Sequence, residues 1–154
     1  QAEIDIKTET TKVENLQKSR HKEKNVKLES LLKELEIKAK NYKSNLLVAF
    51  RDKLLPIGVQ EIDLFAIKDD QTVVYTKEGK QFILDHPLEY YQESLDPLYF
   101  YRANRQYLIS FDSIKEIEHC SDRRLNIKFK REKNEPVIVS KAKASDFIEW
   151  MENR

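Results

Sequence analysis

The residues best suited to chemistry lie in one stretch, Phe100-Tyr101-Arg102-Ala103-Asn104-Arg105-Gln106-Tyr107-Leu108-Ile109-Ser110. Two arginines three positions apart, with an asparagine between them, lead into an apolar run. Guanidinium forks and a carboxamide can make paired hydrogen bonds to purine edges, and either can bond a phosphate oxygen. The same residues also fit a solvated loop whose arginine stems cover the aromatic side chains around it. Arg102 is open in its own right: alternation along the segment either presents it to a ligand or turns it inward as a paired, structural arginine. Residue types leave these readings standing side by side.

Other chemistries lack their residues. His21, His86 and His119 fall in different segments, and none forms an i, i+4 pair with another metal ligand. His119 and Cys120 are neighbours on an expected strand, so they point to opposite faces. No Gly-x-Ser-x-Gly, phosphate loop or dinucleotide fingerprint occurs. Asp69-Asp70 sits where a turn is expected, and turn formation is its ordinary role. The chain does not read as an enzyme, and no cofactor is implied. A single cysteine excludes an internal disulfide and fits a reducing cytoplasm. The longest apolar run, Leu46 to Phe50, is far short of the roughly 20 residues that span a bilayer. No signal peptide is visible, and a start at Gln1 is consistent with a piece of a longer protein.

The whole chain carries 28 Lys+Arg against 27 Asp+Glu in 154 residues, a net charge of +1, which removes bulk basicity as an argument for nucleic-acid binding. The sum conceals a partition. Residues 1–44 carry +3, residues 45–98 carry −5, residues 99–145 carry +5 and the last nine carry −2. Such asymmetry can steer an anionic partner to one face, although lysine-rich surfaces also vary this much without function.

The elements that must position these groups fall into two regions. Residues 1–44 read as a helical linker. Leu28, Leu31, Leu32 and Leu35 share one helix face, continued by Ala39 and Tyr42. The segment before Val26 has no apolar stripe and reads as a solvated helix or as disorder. From Asn45 onward short apolar runs alternate with turn residues. Leu46–Phe50 and Leu54–Ile57, then Glu61–Ile67 and Thr72–Thr76, then Gln81–Leu84, read as successive hairpin strands. Pro87 opens a short helix with Asp85 or His86 near its start, and Pro97 closes it. Tyr107–Ser110, Ile114–His119, Leu125–Phe129 and Val137–Val139 read as further strands, and Lys141–Met151 as a closing helix. With only two glycines in the chain, Asn, Asp and Lys must make the turns. Phe65, Phe147 and Trp150 read as core. The fold class is mainly β, antiparallel, with a linker helix, a short middle helix and a C-terminal helix.

The stretch Phe100–Ser110 resembles the signature of the LytTR DNA-binding domain family, an aromatic-x-Arg-x-His/Asn-Arg-Ser/Gln-aromatic run leading into an apolar strand. Ile114-Lys115-Glu116-Ile117 follows at the family's distance. Val137-Ile138-Val139-Ser140-Lys141 resembles its Val-Ser-Arg/Lys motif ahead of the closing helix. Leu54-Leu55-Pro56-Ile57 and Ile62-Asp63-Leu64-Phe65 resemble its opening strands, and the hairpin around Lys77–Lys80 agrees as well. The resemblance covers residues 45–152 and implies a domain at 45–154 built of small antiparallel sheets stacked into an elongated slab. It also implies three loops that enter successive major grooves of duplex DNA. The first is Lys68 to Thr72, with Lys68, Gln71 and Thr72 as candidates. The second supplies Asn104 and Arg105, with Arg102 beside them. The third supplies Lys141 and Lys143. Ser110 stands where the family often has asparagine, and Asp69-Asp70 makes the first loop acidic. Arg123-Arg124 and Lys130-Arg131-Lys133 fit either flanking phosphate contacts or solvated turns.

The function that this resemblance implies is sequence-specific DNA binding, as the cytoplasmic output domain of a bacterial two-component response regulator that binds tandem repeats as a homodimer. The receiver or sensor domain that would control it is absent from this sequence, and its phosphoacceptor with it. The alternative is a protein-interaction module that dimerises through the leucine-striped helix without touching DNA.

Overall fold

Alternating apolar runs become strands almost residue for residue in the computed structural model, which describes residues 22–35 and 42–154. The chain divides into two units, Gln1–Asn41 and Tyr42–Arg154. In the first, residues 22–35 form helix α1, and Val26, Leu28, Leu31, Leu32 and Leu35 on it are 50–62% exposed. Ala39 and the segment 1–21 lie outside the described residues. Tyr42, expected to extend the leucine stripe, instead opens the second unit in non-helical backbone.

The second unit holds three antiparallel sheets. Strands β1 (Asn45–Phe50) and β2 (Lys53–Gly58) form a two-stranded ribbon. A five-stranded sheet in the order β5-β4-β3-β7-β6 contains β3 (Ile62–Lys68), β4 (Gln71–Thr76), β5 (Gln81–Leu84), β6 (Phe100–Arg102) and β7 (Tyr107–Ser110). A three-stranded sheet, β10-β9-β8, contains β8 (Ile114–His119), β9 (Leu125–Phe129) and β10 (Val137–Val139). Helix α2 (Leu88–Ser94) lies between β5 and β6, and α3 (Lys141–Glu152) closes the chain.

The five-stranded sheet is covered on both faces, so β3 is apolar almost throughout rather than alternating. Leu64, Ala66, Val73, Tyr107 and Ile109 pack with Ile127, Phe129, Val137, Val139 and Phe147, joining the sheet to the three-stranded sheet and α3. Phe65, Val74, Leu84 and Leu108 pack with Leu46, Val48 and Ile57 of the ribbon and with Leu88, Tyr91 and Leu95 around α2. Trp150 is half-buried, its indole N–H donating to the Pro97 carbonyl at 2.7 Å.

Turn chemistry without glycine follows a physical rule. Asp69 and Asp70, at φ 50° and 61°, join Lys68 to its partner Gln71. Positive φ at both central residues is the type I′ hairpin turn, which short polar side chains tolerate best after glycine. Two differences from the sequence reading stand out. Phe100–Arg102, expected as loop rim, is a strand because it pairs with Leu108–Ser110 across a tight loop. Pro87, expected inside the first turn of α2, is the extended cap residue itself, at φ −67° and ψ 161°.

Candidate nucleic-acid interface

The β3–β4 hairpin tip and the loop 103–106 leave the five-stranded sheet at the same end. Ala66 pairs with Tyr107, and the Ile67 N–H donates to the Gln106 carbonyl at 2.9 Å one step further on. The carboxamide of Asn104 makes the third connection, donating from Nδ2 to the Ile138 carbonyl in β10 at 3.0 Å. Lys141 follows Ile138 by three residues, which puts it within about 11 Å of that carbonyl by chain geometry alone. All three expected loops are thus gathered at one end of the stacked sheets.

Their residues differ in what they expose. Arg105 is exposed, and its side chain makes no hydrogen bond or ion pair among the described residues. Lys141 and Lys143 are exposed on the first turn of α3. Ser140 caps that helix in extended backbone without a side-chain bond; the Lys143 N–H donates to the Ser140 carbonyl at 3.1 Å, and the N–H groups of Lys141 and Ala142 stay open to an anion. Gln71 is exposed beside the acidic tip. Lys68 is exposed but folds back, its ammonium 5.2 Å from the Tyr75 ring centroid, and Tyr75 raises its pKa above the ordinary lysine value. Thr72 lies in β4, is 6% exposed and forms part of the hairpin wall rather than its tip.

Arg102 turns inward. Its Nε donates to the Asn104 carbonyl at 2.7 Å and its Nη2 to the Arg105 carbonyl at 2.5 Å. Its Nη1 donates to Gln92 Oε1 at 3.0 Å, and Nη2 also meets Glu89 Oε1 at 3.3 Å, so the loop is tied to α2. The Glu89 carboxyl sits below the usual glutamate range, held there first by its own backbone N–H and then by Arg102. Asn104 Oδ1 accepts from the Gln106 N–H at 2.8 Å, so both ends of its carboxamide are engaged within the fold.

Two cations of the β9–β10 loop are already committed. Asp63, 1% exposed at a register break in β3, receives Arg131 Nη1 at 2.7 Å and Lys133 Nζ at 3.0 Å. This cluster pins the loop between β9 and β10 to the five-stranded sheet, so Arg131 and Lys133 are not solvated turn residues. The signal for it was present in the sequence: a lone carboxylate in an apolar strand needs a cation. Which cations it would find, 68 and 70 residues away, carried no local mark. Glu89 and Gln92 likewise left no trace, since a helix surface of polar residues looks solvated until something packs on it. Among the described residues no group of three or more His, Cys, Asp or Glu is placed to hold a metal ion. No helix among them is long and apolar enough to cross a membrane.

Stacked antiparallel sheets that bring three loops to one end, with Arg105, Lys141 and Lys143 exposed on two of them, have the layout of a loop-presenting domain. Comparison with known proteins makes the class specific. The family model of the LytTr DNA-binding domain matches residues 52–152, and the chain belongs to that family. Among solved structures, the LytTr DNA-binding domain of a putative methyl-accepting/DNA response regulator from Bacillus cereus superposes with a TM-score of 0.63 at 22% identity. The match covers 71% of this chain and 98% of that one, and it bears out the antiparallel fold class. No curated protein gives a significant match.

Proposed function

We propose that this chain is the DNA-binding output part of a bacterial two-component transcription regulator, reading duplex DNA by loops laid in the major groove. The observation that carries the reading is the gathering of three loops at one end of the sheets, with Arg105, Lys141 and Lys143 exposed there and unpaired among the described residues. Arg105 supplies a guanidinium fork to a base edge. Lys141 and Lys143, beside the open N–H groups of α3, neutralise phosphates, and Gln71 completes the first loop from beside an acidic turn. Similarity to a domain titled as part of a response regulator supports the regulatory setting. The decisive experiment selects bound sequences from a random duplex pool and follows their affinity across salt. A shared motif with affinity falling as salt rises is the expected outcome. Binding without sequence enrichment, or none at all, overturns the reading.

A second reading has its own observation, the four leucines, Leu28, Leu31, Leu32 and Leu35, exposed along one face of α1. A second copy of the chain would cover them in a dimer that forms without DNA. Concentration-dependent association, lost in Leu28→Ala and Leu35→Ala variants that still bind DNA, separates this role from the first.

A further inference from the structure

We propose that Arg102 is a positioning residue for DNA recognition: it fixes the direction of Arg105 from behind, with α2 as its support, and touches no nucleic acid. The inference rests on Arg105 contacting DNA.

Arg102 holds the two carbonyls that flank the Arg105 Cα. The Asn104 carbonyl belongs to the peptide plane on the N-terminal side of the Arg105 Cα, and the Arg105 carbonyl to the plane on its C-terminal side. One planar guanidinium bonds both, at 2.7 and 2.5 Å. Peptide planes are rigid, so holding the pair restrains both soft dihedrals of Arg105. The direction in which that side chain leaves the loop follows. Ala103-Asn104-Arg105-Gln106 contains neither glycine nor proline, so backbone composition alone does not fix its shape.

Arg102 has little left for DNA. Of its five N–H groups, four are directed to the two carbonyls, Gln92 and Glu89. No paired edge remains for a base. Its side chain is 13% exposed and its charge is matched by Glu89 at 3.3 Å. Glu89 and Gln92 sit on one face of α2, i and i+3, so the helix offers both acceptors to one guanidinium. Asn104 completes the device on the opposite side, closing onto the Gln106 N–H and reaching across to β10. The loop that carries Arg105 is therefore held from α2 on one side and from the strand preceding Lys141 on the other. Holding a binding loop in its bound shape raises affinity by removing the entropy otherwise lost on binding.

The test separates positioning from contact. A lysine keeps the charge of Arg102 but cannot hold two carbonyls and two side chains in one plane. With the full chain and a selected duplex, Arg102→Lys and Arg102→Met are each expected to bind about tenfold more weakly, the scale of one charge-assisted hydrogen bond. The salt slope should match wild type in both. Lys141→Ala, by contrast, should lower the slope by about 0.9, one phosphate's share. Near wild-type affinity in Arg102→Lys, or a slope about 0.9 lower in Arg102→Met, would overturn the proposal. Should either variant unfold, the double variant Glu89→Gln with Gln92→Ala, on the exposed side of α2, carries the test. It should weaken binding and speed amide exchange at Gln106, and unchanged values of both would refute the proposal. If the wild type binds no duplex, the DNA reading itself fails. The Gln106 exchange rate then still decides whether Arg102 shapes the loop.

Discussion

Asp63 and Arg105 show how unlike two charged residues of one domain can be. Asp63 is buried and doubly paired, and its energetics are asymmetric. Removing both cations leaves a carboxylate stranded in the core, a loss of about 3 kcal/mol or more. Asp63→Asn leaves two cations that can swing toward water. Denaturant unfolding should therefore place the Arg131→Ala, Lys133→Ala double variant well below Asp63→Asn in midpoint. Arg105 is exposed, so Arg105→Ala should leave the unfolding midpoint unchanged. It should cost about 1–3 kcal/mol of DNA affinity and relax preference at one base position in a competition assay. The tyrosines give a pH signature. Burial first, and then donation to the Glu135 carboxylate, pushes the Tyr107 hydroxyl far above the ordinary range; burial and Asp146 do the same for Tyr101. Folded values above the unfolded one mean that this stabilisation is intact below about pH 10 and declines as pH climbs beyond it. In an alkaline ultraviolet titration, Tyr90, lowered by its bond from Lys43, should ionise early. Tyr101 and Tyr107 should ionise only as the protein unfolds.

At the scale of elements, the hairpins state their own rules. Thr76–Lys80 and Cys120–Arg124 close alike: the first residue accepts from the last N–H of the tight turn, and its own N–H reaches the carbonyl four residues on. The left-handed position is Gly79 in one, at φ 86°, and Arg123 in the other, at φ 67°. Arg123→Gly should raise the thermal midpoint by up to about 1 kcal/mol equivalent, while Gly79→Ala should lower it by a similar amount. A Cβ at Gly79 meets nothing within 4 Å, so that cost is backbone strain alone. Most strands were legible because alternation and turn residues bracket them, as at β3 to β5. β6 was not, since Phe100–Arg102 runs directly into the polar loop 103–106 and its pairing with β7 depends on that loop's shape, which Arg102 holds.

For the whole molecule, the near-neutral charge acquires a physical meaning. The basic stretch 99–145 spends many of its cations internally: Arg102 on Glu89, Arg124 on Asp122, Lys128 on Glu118, and Arg131 and Lys133 on Asp63. Those left at the loop end are few. A DNA complex held by so small a set, two to four cations, should show a salt slope on the order of 2–4, at about 0.9 per neutralised phosphate. A steeper slope, measured by titrating duplex across salt, would mean that paired cations are released onto DNA or that residues of the first unit join in.

The sequence by itself determined the antiparallel β class and every strand but β6 to within a residue. Those depend on local periodicity, turn chemistry and side-chain type, which are written along the chain. Tertiary structure alone decided which charged groups face outward. Arg102 and Arg105 are three residues apart and alike in chemistry, yet one is clamped to α2 and two carbonyls while the other is exposed. That division was set by acceptors at Glu89 and Gln92, brought close only when α2 packs beside the loop. Burial and hydrogen-bond satisfaction are properties of the packed fold, and no spacing along the chain encodes them.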